Sequence, residues 1–334
     1  MGRVVTVFVA IMVVVFVGAS LQPVVLRAMR THGVMDTPNE RSSHTRPTPR
    51  GGGIAVVVGA TAGLLTVPQV AAVLLLPLLG FGLLGLAEDI KGVPVRIRLI
   101  CQGCIGLASG VSLLIGRVPL VELIVVAAGI ALWCVAYVNA FNFMDGVNGV
   151  SAAHTIVGGI MFGILGTVRS NQTLLVGGVV LAAAAAAFLP WNNAWRATIF
   201  LGDVGSYGLG GAFGIMSVFA VLNGVPLETA VAPLAVYLVD TGWTLVRRVR
   251  AGEVWYEAHR SHIYQRLTNL GWSHSQVTIG TAALAAGVSG CGLASLTAGT
   301  PVRIGADAVA GLLLVAYLLT PELSRGRIPV EVTR

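Results

Sequence analysis

The stretch Pro119-Leu-Val-Glu-Leu-Ile-Val-Val-Ala-Ala-Gly-Ile-Ala-Leu-Trp-Cys-Val-Ala-Tyr-Val-Asn-Ala-Phe-Asn-Phe-Met-Asp-Gly-Val-Asn-Gly149 decides how this chain is read. Residues 119–138 hold a single charge, Glu122, and are long enough to cross a hydrocarbon layer of roughly 30 Å as a helix. Residues 139–149 then bring one acid, three asparagines and two glycines. Polar groups at the edge of a bilayer are expensive unless they face water or a partner, which makes this cluster a candidate site. Three further clusters, Glu88-Asp89, Gly202-Asp203-Val-Gly-Ser206 and His259-Arg-Ser-His262, also end apolar runs.

The rest of the chain has the same character. Of its 334 residues, 55% are hydrophobic and 10% charged, against about 25% charged in a soluble domain. The composition predicts an all-α polytopic membrane protein with the lipid bilayer as its solvent. No polar stretch is long enough for a second domain, so residues 1–334 read as one membrane domain, ending in a short cytoplasmic tail over 321–334. Twenty of the 21 cationic residues are Arg, and the net charge of +7 reads as topology and headgroup contact rather than nucleic-acid binding. Cys101 and Cys104 form a CxxC without a second pair or a His, which reads as a buried helix face. The apolar run after Met1-Gly-Arg lacks a small-residue cleavage site and reads as a retained first helix.

Apolar runs bounded by Pro, Gly and charges predict eleven spans: 4–26, 53–67, 69–87, 98–116, 119–138, 150–168, 172–189, 206–223, 227–246, 275–298 and 303–320. The second is short and the break at Val67-Pro68 is soft, so ten is the alternative count. If loops after the odd-numbered spans share a side, that side holds 17 cationic residues, and the other holds four: Arg3, Arg117, Arg169 and Arg303. By the positive-inside rule the N-terminus lies outside and the C-terminus in the cytoplasm. Asp36, Glu40, Glu88, Asp89, Asp145, Asp203, Asp240, Glu253 and Glu257 fall on the cytoplasmic side, whereas Glu122, Glu228 and Asp307 fall outside.

Asp89, Asp145 and Asp203 come from the ends of three helices beside small residues. Oxygen ligands near glycine-rich backbone suit Mg²⁺ carrying a diphosphate, because Mg²⁺ keeps waters and substrate phosphates in its shell. The plainer reading makes each acid a helix cap or the partner of a loop Arg. In the GDVGS segment the glycines allow close backbone approach, Ser206 can cap the next helix, and the helix's positive end favours an anion such as phosphate. The 253–266 loop combines two His, two Arg, two acids and three aromatics. If it is helical, His259 and His262 share a face, where Arg260 and Arg266 suit a diphosphate. The alternative is an amphipathic helix on the membrane surface. The 36–53 segment, with three prolines and Gly51-Gly52-Gly53, is expected to be extended and then tightly turned, with Arg41, Arg46 and Arg50 steering an anion. His32 and His44 read as surface residues and His154 as a packing residue.

With NAFNFMDGVNG, FLGDVGS, Glu88-Asp89 followed by RIRL, and PTPRGGG, the chain resembles the polyprenyl-phosphate N-acetylhexosamine-1-phosphate transferases of glycosyltransferase family 4. That superfamily includes the phospho-MurNAc-pentapeptide translocase and the undecaprenyl-phosphate GlcNAc-1-phosphate transferases. The resemblance runs over about 36–267, and HRSHIYQRL (259–267) looks most like the branch that starts O-antigen or capsule-type glycans. It implies transfer of a sugar-1-phosphate from a UDP-N-acetylhexosamine to undecaprenyl phosphate, with release of UMP, an active site on the cytoplasmic face of the bacterial inner membrane, and a possible homodimer. Mg²⁺ is the implied cofactor, with Mn²⁺ as its alternative.

Carried over by motif, Asp203 is the implied metal ligand, with Asp145 beside it. Asp89, with Glu88, belongs to the paired-acid motif, implied to orient or deprotonate the lipid phosphate. Asn142 and Asp145 match the segment lining the nucleotide-diphosphate site. Asn148, Arg50, His259, Arg260 and His262 are the implied substrate-binding residues. Two positions depart from the commoner pattern. Glu88 stands where many members have Asp, and Asn148 replaces the second acid of DGxDG. Other readings are a transporter for an anionic substrate, which would place its polar groups at the midplane of broken helices, and an inactive family member.

Overall fold

The computed structural model describes residues 2–38, 46–193, 195–254 and 260–324. His44, Arg41, Glu40, Glu257, His259 and most of the expected 321–334 tail lie outside the described residues. Each of the eleven apolar runs is helical: α1 (Gly2–Thr31), α2 (Gly53–Leu65), α3 (Pro68–Lys91), α4 (Val95–Leu114), α5 (Leu120–Phe143), α6 (Val150–Val168), α7 (Gln172–Phe188), α8 (Gly202–Leu222), the pair α9 (Leu227–Val231) and α10 (Ala235–Arg250), α12 (His274–Thr297) and α13 (Thr300–Ser324). A short 3-10 turn, Ala232–Leu234, joins α9 to α10, and a seven-residue helix, α11 (Ile263–Asn269), packs beside the last turns.

Among the described residues, nine helical stretches are long and apolar enough to cross a membrane, Leu227–Arg250 counting as one. The other two runs are shorter. α2 has 13 residues and α7 has 17, which is about 20 Å and about 26 Å at 1.5 Å per residue. The break between α2 and α3 is real: Val67 is extended (φ −135°, ψ 90°), and Pro68 opens α3 where its missing N–H is of no consequence.

At the polar end the helices outrun their apolar sequence. α3 continues to Lys91, α5 to Phe143, and α8 begins at Gly202. Glu88, Asp89, Asn142 and Asp203 therefore sit on helical turns, and hydropathy alone underestimates those ends by four or five residues. The chain also contains one antiparallel pair, β1 (Met35–Asp36) with β2 (Thr48–Pro49), and a parallel bridge from Arg50 to Phe200. This is the extended lead-in expected before the three glycines.

α8 is the hub. Sixteen of its 21 residues are buried, against three of 25 in α13, whose Leu312, Leu319 and Leu323 are exposed on the bundle's outer side. Association inside lipid depends on close van der Waals contact rather than the hydrophobic effect, so small residues line the tightest crossings. A Cβ on Gly85 of α3 would lie 2.1 Å from the Asp203 carbonyl oxygen, and one on Gly53 of α2 would lie 2.4 Å from Gly205. His154 is the packing residue expected: its Nε2 is 3.0 Å from Tyr137 Oη and its ring stacks on Tyr237 at 3.7 Å. All four cysteines are free thiols; Cys101 is half-buried and Cys104 exposed, so the expected buried face is not formed. At the end of the bundle away from Asp203, Arg303 pairs with Glu228, and Arg169 donates to the Gly224 carbonyl (3.1 Å).

Candidate functional site

Three helices and the segment before α2 bring side chains to one end of the bundle. The Asp89 carboxylate, in the last turn of α3, is 3% exposed and reaches across to the start of α8. There Asp203 N donates to its Oδ1 (3.1 Å) and Val204 N to its Oδ2 (3.0 Å). Leu201, the N-cap of α8, offers no capping side chain, so Asp89 satisfies two N–H groups that the helix cannot satisfy itself. Gly202 has φ +74°, a conformation that glycine adopts without strain. A side chain there would strike Asp89 Oδ2 at 2.6 Å. Arg50, half-buried just before α2, donates from Nη2 to the Asp89 carbonyl (2.9 Å), and its Nε lies 3.7 Å from Asp89 Oδ1. Both plainer readings of Asp89, helix cap and Arg partner, hold together.

This corrects two expectations. The anion at the positive end of α8 is the protein's own Asp89 carboxylate. Ser206 does not cap α8 but lies inside it, fully buried, with its Oγ accepting from Asn142 Nδ2 (3.0 Å). The same Asn142 nitrogen donates to Asp203 Oδ1 at 2.7 Å. Asn142 thus fixes the Asp203 carboxylate from α5.

Asp145 lies in the turn after α5, half-buried. Burial, with the nearby charges of Asp203 and Asp89, pushes its carboxyl up to about 8. Among the described residues neither Asp145 nor Asp203 pairs with a cationic side chain. Nor do any three His, Cys, Asp or Glu side chains among them converge to cage an ion unaided. Two crowded carboxylates without a cation fit Mg²⁺, which needs only one or two of them and takes its other ligands from water and substrate phosphates.

Glu88 is engaged elsewhere. Arg98 Nη1 donates to its Oε1 (2.8 Å) and Val93 N to its Oε2 (2.5 Å), so Glu88 fastens the turn between α3 and α4. Its extra methylene relative to Asp serves that reach. The Asn148 backbone is tied to α12, with N–H to His274 Nδ1 at 3.3 Å and the carbonyl accepting from Thr278 Oγ1 at 2.9 Å. Next to it, Gly149 N donates to Asn192 Oδ1 (2.7 Å), an anchor that sequence reasoning missed.

The condition placed on the histidine loop is not met at its described end. Residues 260–262 are not helical, and His262 is extended (φ −61°, ψ 152°) at the start of α11. Arg260 is half-buried in this lead-in. His262 is 3% exposed and bonds through Nδ1 to Asp240 Oδ1 at 3.1 Å. Its ring lies 5.8 Å from that of Phe143, whose carbonyl accepts from Tyr264 Oη at 2.8 Å. α11 is therefore docked on the turn that carries Asp145. Arg266 pairs with Glu322 of α13 (2.5 Å) instead of a neighbouring acid in its own loop. Asp240 is the residue whose part was overlooked; a lone carboxylate inside the Ala235–Arg250 helix was its signal.

A cleft of about 390 Å³ borders the strand that leads into Arg50, lined by Arg30, Arg46, Thr48, Trp195, Arg196 and Thr198 among others. Asn193 Oδ1 accepts from the backbone N–H groups of Trp195 (3.0 Å) and Arg196 (2.8 Å) and so shapes its rim. With three arginines and no acid among the described lining residues, it is a mouth that attracts polyanions.

Comparison with known proteins matches residues 71–221 to the model of glycosyl transferase family 4. The chain is 31% identical to a decaprenyl-phosphate N-acetylglucosaminephosphotransferase of Mycobacterium tuberculosis, over 89% of this chain and 85% of that protein. It is 28% identical to a Bacillus subtilis protein named "Probable undecaprenyl-phosphate N-acetylglucosaminyl 1-phosphate transferase", over 82% and 80% respectively. With a phospho-N-acetylmuramoyl-pentapeptide-transferase of Moorella thermoacetica it shares 29% identity, over 75% and 85%.

Proposed function

Because the chain belongs to glycosyl transferase family 4, beside bacterial polyprenyl-phosphate sugar-1-phosphate transferases, we propose that it transfers N-acetylhexosamine-1-phosphate from a UDP-sugar to undecaprenyl phosphate. An oxygen of the lipid phosphate attacks the sugar-bearing phosphorus of the donor, and the bond from that phosphorus to the UMP oxygen breaks. The products are UMP and a lipid-linked diphosphate sugar that begins a cell-envelope glycan. The observation that carries this reading is the convergence of Arg50, Asp89, Asn142 and Asp203 at one end of the bundle, from four separate segments. The 17-to-4 division of cationic residues supports a cytoplasmic site in the inner membrane.

Two polyanions must meet in such a reaction, so positioning and charge compensation dominate. Mg²⁺, held by Asp203 and Asp145 with waters and donor phosphates, would supply charge neutralisation on the diphosphate. Asn142 holds Asp203 in place, and Asp89 holds the turn from which Asp203 projects. Arg50, Arg260 and His262 serve the phosphates of the two substrates. Phosphate monoesters lose their second proton near pH 6, so the acceptor needs no strong base, which agrees with an Asp89 already occupied by two N–H groups. UDP-GlcNAc is the default donor.

The test uses purified protein in detergent with undecaprenyl phosphate, Mg²⁺ or Mn²⁺, and a panel of UDP-N-acetylhexosamines. Release of UMP with a lipid-diphosphate sugar of the matching mass is the expected result. UDP release would make the reaction a glycosyl transfer instead, and folded protein inert with every donor would sink the proposal.

A further inference from the structure

The Asp240 carboxylate is fully buried, yet five donors converge on it. Oδ1 accepts from Ile263 N at 3.0 Å and Thr244 Oγ1 at 3.3 Å, and lies 3.1 Å from His262 Nδ1. Oδ2 accepts from Tyr317 Oη at 2.6 Å and Tyr264 N at 3.2 Å. These partners come from α10 itself, from the start of α11 and from α13. Both oxygens therefore act as acceptors, toward two backbone N–H groups and two hydroxyls.

Oδ1 already accepts from the Ile263 N–H and the Thr244 hydroxyl, so toward His262 it accepts again and the hydrogen in that contact belongs to Nδ1. That assigns the tautomer and fixes the ring plane, hence the direction of Nε2. The partner on one imidazole nitrogen decides what the other can do. From the geometry we infer that Asp240 is a positioning residue: it sets the tautomer and orientation of His262 toward the phosphate-bearing substrate. α11 is docked through Tyr264 on the Phe143 carbonyl, two residues from Asp145, which brings His262 to the side of the acid cluster. A carboxylate that only tethered α11 would need the two backbone N–H groups alone. The His262 contact is what adds chemistry.

The kinetic part of the test rests on the sugar-phosphate transfer reading; the spectroscopic part does not. Nitrogen-15 spectra of histidine-labelled protein, with His262→Gln to assign the signal, should show His262 of the wild-type chain protonated on Nδ1, and Asp240→Asn should abolish that preference. In turnover assays Asp240→Asn should lower kcat about 10- to 100-fold, the range for removing a residue that orients a functional histidine, with a smaller change in KM. In the His262→Gln background the same exchange should add almost nothing. A wild-type His262 protonated on Nε2, or losses that multiply in the double variant, would overturn the assignment. If Asp240→Asn fails to fold, the wild-type spectrum decides alone. If no donor gives turnover, the function proposed above fails while the spectrum still tests the orientation.

Discussion

Asp89 and Asp240 are buried carboxylates in different parts of the bundle, and each grips backbone far along the chain. Asp89 takes the N–H groups of Asp203 and Val204, and Asp240 those of Ile263 and Tyr264. Around Asp89 the remaining partner is a guanidinium, Arg50; around Asp240 it is an imidazole with two hydroxyls. One clamp therefore holds a turn that presents a carboxylate, and the other holds a turn that presents a histidine. Asp203 and Asp145 differ from both, since neither forms an ion pair with a cationic side chain among the described residues. What separates clamp from ligand is whether both oxygens are filled: Asp203 has Asn142 on Oδ1 alone.

Exchanging Asp203 for Asn breaks the comparison hardest. Turnover should fall on the order of 10²- to 10³-fold, the range for losing a preorganised electrostatic contact, while the thermal midpoint in detergent shifts little. If activity survived, Asp203 would belong with the clamps. Gly85→Ala strikes the same turn from behind, because its methyl group would overlap the Asp203 carbonyl. Overpacking of this kind costs about 1–3 kcal/mol, and activity and thermal stability should fall together. For Asp89→Asn the two readouts should again drop together, by about 10-fold in activity for a lost charge-assisted contact of about 1.5 kcal/mol. Full stability with no activity would return Asp89 to a direct chemical part.

Asp145 sharpens the contrast through pH. Its carboxyl is held up to about 8 in the fold but near 4 in the unfolded chain. Between those values the folded chain keeps a proton that the unfolded chain has lost, so this group's contribution to stability falls as pH rises from about 4 to about 8. Mg²⁺ should offset that loss and bind more tightly with rising pH across the same window. Midpoint measurements with Mg²⁺ and with a chelator, at several pH values, would show it, and Asp145→Asn should flatten both trends. The smallest effect belongs to the cleft: Gln in place of Arg46 or Arg196 should raise the donor KM about two- to five-fold, and less so in high salt, because exposed charges act mainly by steering.

Much of the architecture was legible as sequence. Apolar runs bounded by Pro and charge predicted every long helix, because lipid requires backbone groups to be satisfied within a helix. The acids and asparagines at their ends marked the site, for they have no other reason to sit there. The clamps were not legible. Asp89 pairs with backbone 114 positions away, and a backbone N–H leaves no mark in the sequence. The GDVGS glycines read as room for a ligand, whereas Gly205 serves the packing of α8 against α2 and Gly202 a left-handed turn. The shared face of His259 and His262 was conditional on a helix there, whereas His262 pairs with Asp240 and is extended ahead of α11. Glu88 read as half of the paired-acid motif because Arg98, ten positions on, could not be known to turn back to it.

The short helices α2 and α7 have a consequence for the surrounding lipid. They pack against each other, and both reach their far ends on the side away from the acids, where Gln69 and Gln172 are hydrogen-bonded to one another at 2.9 Å. Lengths of about 20 and 26 Å fall short of a hydrocarbon layer of about 30 Å. Most of each helix is buried against its neighbours, so the mismatch falls on the few residues that face outward, at a fraction of a kcal/mol for each ångström. Thin membranes reduce that mismatch and thick ones increase it, so the outward faces of α2 and α7 are where acyl-chain length meets this bundle.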